Sequence, residues 1–133
     1  MQIAQFAKSY KAVAITTATP GNLVLMLFDG ALRFLATALL GFQDESISKR
    51  NEDIHNNLVK AQRILRELQC SLDLKVGGEF AKTMFALYDF MIGELQKANL
   101  TKEPAPIQTV ERLLGEIRDA WAQMLEQSLC QAA

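Results

Sequence analysis

Histidine is nearly missing from this chain: His55 is the one copy among 133 residues. That scarcity removes whole classes of chemistry. A carboxylate-bridged metal centre in a helical bundle takes a Glu-x-x-His motif from each of two helices. Glu52-Asp53-Ile54-His55 has the spacing, but no second histidine exists to complete the pair. A nucleophile that needs a histidine base has only His55 to use. His55 through Lys60 also lacks the close Lys-Gly that would let a phosphate approach a phosphotransfer histidine. Cysteine is scarce too. Cys70 and Cys130 lie far apart, with neither CxxC nor metal-ligand spacing, and read as reduced thiols without chemistry. The seven glycines form no GxSxG, GxxxxGK or GxGxxG, and Gly77-Gly78-Glu79 reads as a helix start rather than a phosphate cradle. An enzyme is disfavoured on inventory alone, and no cofactor is expected.

An excess of positive charge is also lacking. Fourteen Lys and Arg stand against fifteen Asp and Glu and are scattered among them. A nucleic-acid binder needs a basic stripe to displace counterions from phosphates, so DNA and RNA are not expected partners. Met1 to Tyr10 has no charged start followed by an apolar run, which predicts no secretory signal and a cytoplasmic protein. The run Asn22 to Leu35 (NLVLMLFDGALRFL) is oily, but a bilayer span asks for about 20 predominantly apolar residues. Asp29 and Arg33 interrupt it within a few turns, so no membrane insertion is expected.

What the chain does have is helical periodicity throughout, and half its residues are apolar. The length fits one domain, residues 1–133, with a core able to bury most of the surface that the unfolded chain exposes. From Pro20 to about Leu40, steps of about 100° place Leu23, Leu27, Ala31, Phe34, Leu35 and Ala38, with others, on an apolar arc of roughly 200°. Asp29 and Arg33 share the other side and are expected to pair at i,i+4. Gly41 suits a left-handed position after the helix. A second helix from Ile47 or Ser48 carries Ile47, Ile54, Leu58, Ala61, Leu65, Leu68 and Leu72. After the break around Gly77-Gly78, a third from Glu79 to Ala98 bears two adjacent seams, one from Phe80 through Met84, Leu87 and Met91 and one of Ala81, Phe85, Tyr88 and Ile92. These span roughly 160°, with Phe90 outside them. Asn99 is a candidate C-cap, and Pro104 and Pro106 fit the first turn of a fourth helix whose face runs from Ile107 to Met124. Short breaks fold each helix back beside the last, predicting an all-α, antiparallel four-helix bundle. Residues 1–19 form a mobile arm or short helix ending in Thr19-Pro20, an N-cap followed by Pro at N1.

The first and third helices thus carry more apolar surface than the arc of somewhat over 100° that a peripheral bundle helix needs. One reading is a wide core with the arm laid over it. Another is a groove that takes an amphipathic or extended partner segment. A third is a structural homodimer in which the spare faces meet.

The residues also resemble a family. Tyr10, Thr17-Ala18-Thr19-Pro20 and Leu25-Met26-Leu27-Phe28-Asp29-Gly30-Ala31-Leu32-Arg33-Phe34-Leu35 are similar to the Tyr, TASP and MLYDGAIRFL signature of the flagellin-export chaperones, the FliS family. Lys60-Ala61-Gln62, Leu68 to Asp73, Gly77-Gly78-Glu79, Leu87 to Met91, Ala98-Asn99 and Arg118-Asp119-Ala120-Trp121 follow in the family's order. The resemblance implies a cytoplasmic helical-bundle chaperone that binds the disordered C-terminal region of flagellin, prevents premature polymerisation and delivers it to the flagellar type III export apparatus. It implies that the arm covers part of the client surface when flagellin is absent. Thr19 and Asn22 stand where the family has Ser and Glu, leaving the capping box incomplete. Phe28 replaces the common Tyr and is expected in the core. On this reading the partner-binding residues are Leu27, Phe34, Phe85 and Phe90 on the helices and Tyr10 and Val13 on the arm, in a monomer or weak homodimer.

Overall fold

Four helices account for nearly all of residues 20–132, the part of the chain that the computed structural model describes: α1 (Pro20–Gly41), α2 (Ile47–Cys70), α3 (Gly78–Thr101) and α4 (Ala105–Ala132). Each packs on two neighbours. α1 and α3 both lie against α2 and α4, so α1 and α3 sit on opposite corners of the antiparallel bundle. The expected arm, with Tyr10, Val13 and the Thr19 cap, falls outside the described residues.

Local chemistry sets the helix ends. Ser46, extended at φ −80° and ψ 115°, opens α2 by accepting from the Lys49 amide, and Asp44 Oδ1 accepts from the Ser46 amide. At the far end the Ser71 hydroxyl donates to the Leu68 carbonyl, one of the acceptors a helix C-terminus leaves over. α3 begins at Gly78, whose φ of +56° a side chain would resist. It continues one turn past the expected stop. Asn99 lies inside the helix, its amide engaged by His55 and by Lys102, and Lys102 takes the left-handed cap instead, at φ 53° and ψ 47°. Gly41 is likewise not left-handed. It is the last residue of α1, and an added Cβ would stand 3.2 Å from Ile54 Cγ1, so close helix approach is what it provides.

The core follows the predicted seams with two changes. Ile54, Leu58, Ala61, Leu65 and Leu68 of α2 are buried, while Ile47, at the first position of its helix, is exposed. On α3 the two seams resolve into one buried stripe of Ala81, Tyr88, Met91, Leu95 and Ala98. Met84 and Ile92 flank it, whereas Phe80, Phe85 and Phe90 are exposed.

α1 corrects the length argument made from sequence. At 22 residues it extends about 33 Å and is long and apolar enough to cross a bilayer by length and composition. Protein meets its stripe instead, for Phe28, Ala31, Leu35 and Ala38 are enclosed by the other helices. Asp29 also departs from expectation. It accepts from Arg118 of α4, at 2.8 Å, rather than pairing within its own helix.

Candidate functional site

The two ends of the bundle are packed differently. Where α1 and α3 finish and α2 and α4 start, side chains such as Leu35, Ile54, Leu95 and Ile107 are wholly enclosed. Where α1 and α3 start and α2 and α4 finish, the helices leave an apolar cleft of about 620 Å³. Phe28 and Val24 of α1 and Leu68 and Leu72 of α2 line it from one side, and Phe80, Met84 and Tyr88 of α3 from another. Ile117, Ala120, Trp121 and Met124 complete it from α4. Ser71 and Asp73 bring polar side chains from the end of α2 and the α2–α3 connection.

The walls are fixed by polar contacts at their backs. Trp121 packs edge-on to Phe28, with ring centroids 6.4 Å apart and planes at 79°, and its indole N–H donates to the Gly21 carbonyl at 2.8 Å. With the Arg118–Asp29 pair this joins α4 to α1. Opposite, Gln69 of α2 donates to the Phe85 carbonyl of α3 at 3.0 Å and to Asp89 Oδ1 at 2.8 Å. The floor connection is ordered by Asp73, whose carboxylate accepts from the Lys75 and Val76 amides and whose carbonyl accepts from Gly77. Burial pushes the Tyr88 phenol up to about 12, so the cleft wall carries a neutral hydroxyl across the physiological range.

The residues singled out from sequence are not gathered here. Leu27 is in the core at 8% exposure, with little surface left for a partner. Phe34 is half-buried, with the Lys60 ammonium 5.5 Å from its ring centroid. Phe85 and Phe90, 37% and 50% exposed, are available to solvent but lie outside the cleft lining. Sequence reasoning missed the cleft residues Phe80, Met84, Tyr88, Ala120, Trp121 and Met124 as a group. Periodicity had placed each on an apolar face without saying that the faces part at one end. His55 is exposed and faces Asn99, and no cluster of three or more His, Cys, Asp or Glu that could hold a metal occurs among the described residues.

Comparison with known proteins bears on what the cleft is. The family model for flagellar protein FliS matches residues 2–128. The chain belongs to the FliS family. It is 37% identical over 129 residues to the flagellar secretion chaperone FliS of Salmonella typhimurium, covering 93% of each chain. The FliS of Bacillus subtilis is 35% identical over 118 residues, covering 89% of this chain and 84% of that one. Pseudomonas aeruginosa has a flagellar secretion chaperone, FliSB, at 32% identity over 118 residues. Several of the segments that resemble FliS meet at the open end: Asp29 and Arg118 bind each other, and Trp121, Tyr88 and Gly77 line the cleft.

Proposed function

We propose that the chain is a flagellar secretion chaperone that takes the disordered C-terminal segment of flagellin into the cleft at the open end of its bundle, in the cytoplasm, and presents it to the type III export apparatus. The observation that carries this is the cleft itself: an apolar cavity of about 620 Å³ bordered by all four helices, whose walls are joined in pairs by hydrogen bonds, α2 to α3 and α4 to α1. Water in such a cavity gains by leaving it, and each Leu or Phe side chain that fills it contributes about 1.5 to 3 kcal/mol. Two or three anchors offset the 2 to 5 kcal/mol or so that ordering a disordered segment costs. Phe85 and Phe90 extend this surface along the outside of α3, and Tyr10 and Val13 contribute from the arm. No bond is made or broken in this role.

Trp121 is the sole tryptophan and lines the cleft, so its emission reports occupancy directly. Titration with a peptide of the flagellin C-terminal segment is expected to shift that emission and saturate at one peptide per chain. Ala120→Glu, at an exposed lining position, is expected to leave the helix content unchanged and abolish the shift. Equal binding by that variant, or a dimer that persists on dilution and ignores the peptide, would reject the proposal.

A further inference from the structure

Two side-chain amides of α2 bind backbone carbonyls of α3 across their shared seam. Gln62 Nε2 donates to the Ile92 carbonyl at 3.2 Å, and Gln69 Nε2 to the Phe85 carbonyl at 3.0 Å. The donors are seven residues apart on α2 and the acceptors seven apart on α3, two turns on each helix, running in opposite directions. A slip of either helix by one turn breaks both bonds together. Hydrophobic contacts alone do not impose that condition, because apolar attraction is non-directional.

The two rungs sit in different surroundings. Around Gln62, α3 is also held by the buried Met91 and Leu95. Around Gln69 it has less: of the first three turns of α3 only Ala81 and Tyr88 are buried, while Phe80 is 66% exposed. Gln69 itself is 2% exposed, and its amide is well satisfied. Both Nε2 hydrogens are used, on Phe85 and Asp89, and Oε1 accepts from Arg66 at 2.6 Å. Leu68 and Met84, chain neighbours of Gln69 and Phe85, line the cleft. The clip is therefore fastened to the back of the cleft wall. An open apolar cleft tends to collapse, since closing it removes apolar surface from water, and directional bonds oppose that.

We infer that Gln69 is a positioning residue for the cleft: its amide holds the first three turns of α3 against α2 and so away from α4, keeping the cleft open when nothing fills it, while Gln62 fixes the register. The effect on a client rests on the chaperone reading above; the effect on α3 does not.

Gln69→Met keeps the side chain's length and removes all its hydrogen bonds. In the full chain, residue-resolved hydrogen exchange is expected to quicken by about tenfold for residues 79–89 and to stay the same for residues 91–98. Peptide binding read from Trp121 is expected to weaken by about tenfold. Asp89→Ala removes one partner of Gln69 at an exposed position and is expected to act in the same direction but less, so the test survives if the methionine variant does not fold. Unchanged exchange at 79–89, exchange raised equally in all four helices, or faster exchange with unaltered peptide affinity would each overturn the inference. A flagellin peptide that fails to bind the unaltered protein rejects the chaperone reading instead, and the exchange pattern then decides the role of Gln69 alone.

Discussion

One end of this bundle is built from apolar side chains that exclude everything else, and the other from apolar side chains that have been kept apart. Ile54, Leu95 and Ile107 at the sealed end have no exposure, while Phe80 and Met124 at the open end are exposed. Both ends are apolar, so hydrophobicity alone does not separate them, although Phe28, Phe80, Met84, Trp121 and Met124 gather at the open one. What differs is the contact that sets helix spacing. Close approach sets it at the sealed end, as where Gly41 meets Ile54. At the open end polar groups do so: Arg118 with Asp29, Trp121 with Gly21, and Gln69 with Phe85 and Asp89.

The largest expected effect would break this contrast if it failed. Leu95→Ala at the sealed end removes a fully enclosed side chain and leaves a cavity, so it should lower the unfolding free energy by about 2 to 5 kcal/mol. Phe80→Ala removes a larger side chain, yet one already in solvent, and should change stability by no more than about 0.5 kcal/mol. Urea unfolding followed by circular dichroism measures both. Peptide affinity should rank them the other way, with Phe80→Ala the weaker binder. Similar losses of stability at the two sites would mean that the open end is ordinary core.

Next in size is the connection that forms the floor of the cleft. Gly77 has an ordinary helical φ of −75°, so conformational freedom is not its reason. A Cβ there would lie 2.5 Å from the Ala81 Cβ and 2.8 Å from the Asp73 carbonyl oxygen, and the second of these is backbone. Gly77→Ala must therefore displace the Asp73 turn. A destabilisation of about 1 to 3 kcal/mol is expected, with the amides of Lys75 and Val76 losing exchange protection. Gly93→Ala, where a Cβ meets nothing within 4 Å, should instead be neutral or stabilise by up to about 1 kcal/mol.

How much of this was legible in the sequence depends on the interaction. The four helices and the buried stripe of α2 follow from spacing, because a 3.6-residue period maps directly onto one face. The FliS resemblance named the family from short motifs, without locating the cleft. Asp29 shows why it could not: its nearest complementary charge in sequence is Arg33, four residues on, but the partner it binds is Arg118, 89 residues away. Gln69 is a second case. A polar residue between Leu68 and Cys70 reads as surface, yet the fold encloses it and satisfies it through a neighbouring helix. Leu27 fails in the opposite direction, since a residue on a wide apolar arc can be core or contact, and periodicity does not say which. Contacts between helices decide where the bundle closes and where it stays open, and those are invisible to a method that reads one helix at a time.

Tyr88 offers a pH probe of the open end. Its phenol ionises at about 12 in the folded chain rather than 10 because burial disfavours the charged form. Above pH 10 the unfolded chain gives up this proton while the folded chain retains it, so the unfolded state binds fewer protons and stability falls as pH rises from about 10 to about 12. Below pH 10 this group contributes no pH dependence. The chain has two tyrosines, so Tyr10→Phe leaves Tyr88 as the one phenol. Its ultraviolet titration in that background should have a midpoint near 12, and a midpoint near 10 would mean that the wall around Tyr88 is open to water.

The smallest effect lies at the sealed end, where the turn from α3 to α4 places Lys102 in the left-handed region. A side chain there crowds its own backbone, which glycine avoids. The lysine has a compensating contact, for its ammonium donates to Asn99 Oδ1, and Asn99 in turn meets His55 Nδ1 at 2.9 Å. Lys102→Gly relieves the backbone and loses that contact, for a net gain of about 0.5 kcal/mol. Lys102→Val loses the contact and adds β-branching in a conformation that punishes it, for a loss of about 1 kcal/mol. Thermal melting should therefore rank glycine above lysine above valine. Peptide affinity should be the same in all three, because the change is made at the end of the bundle where nothing is kept apart.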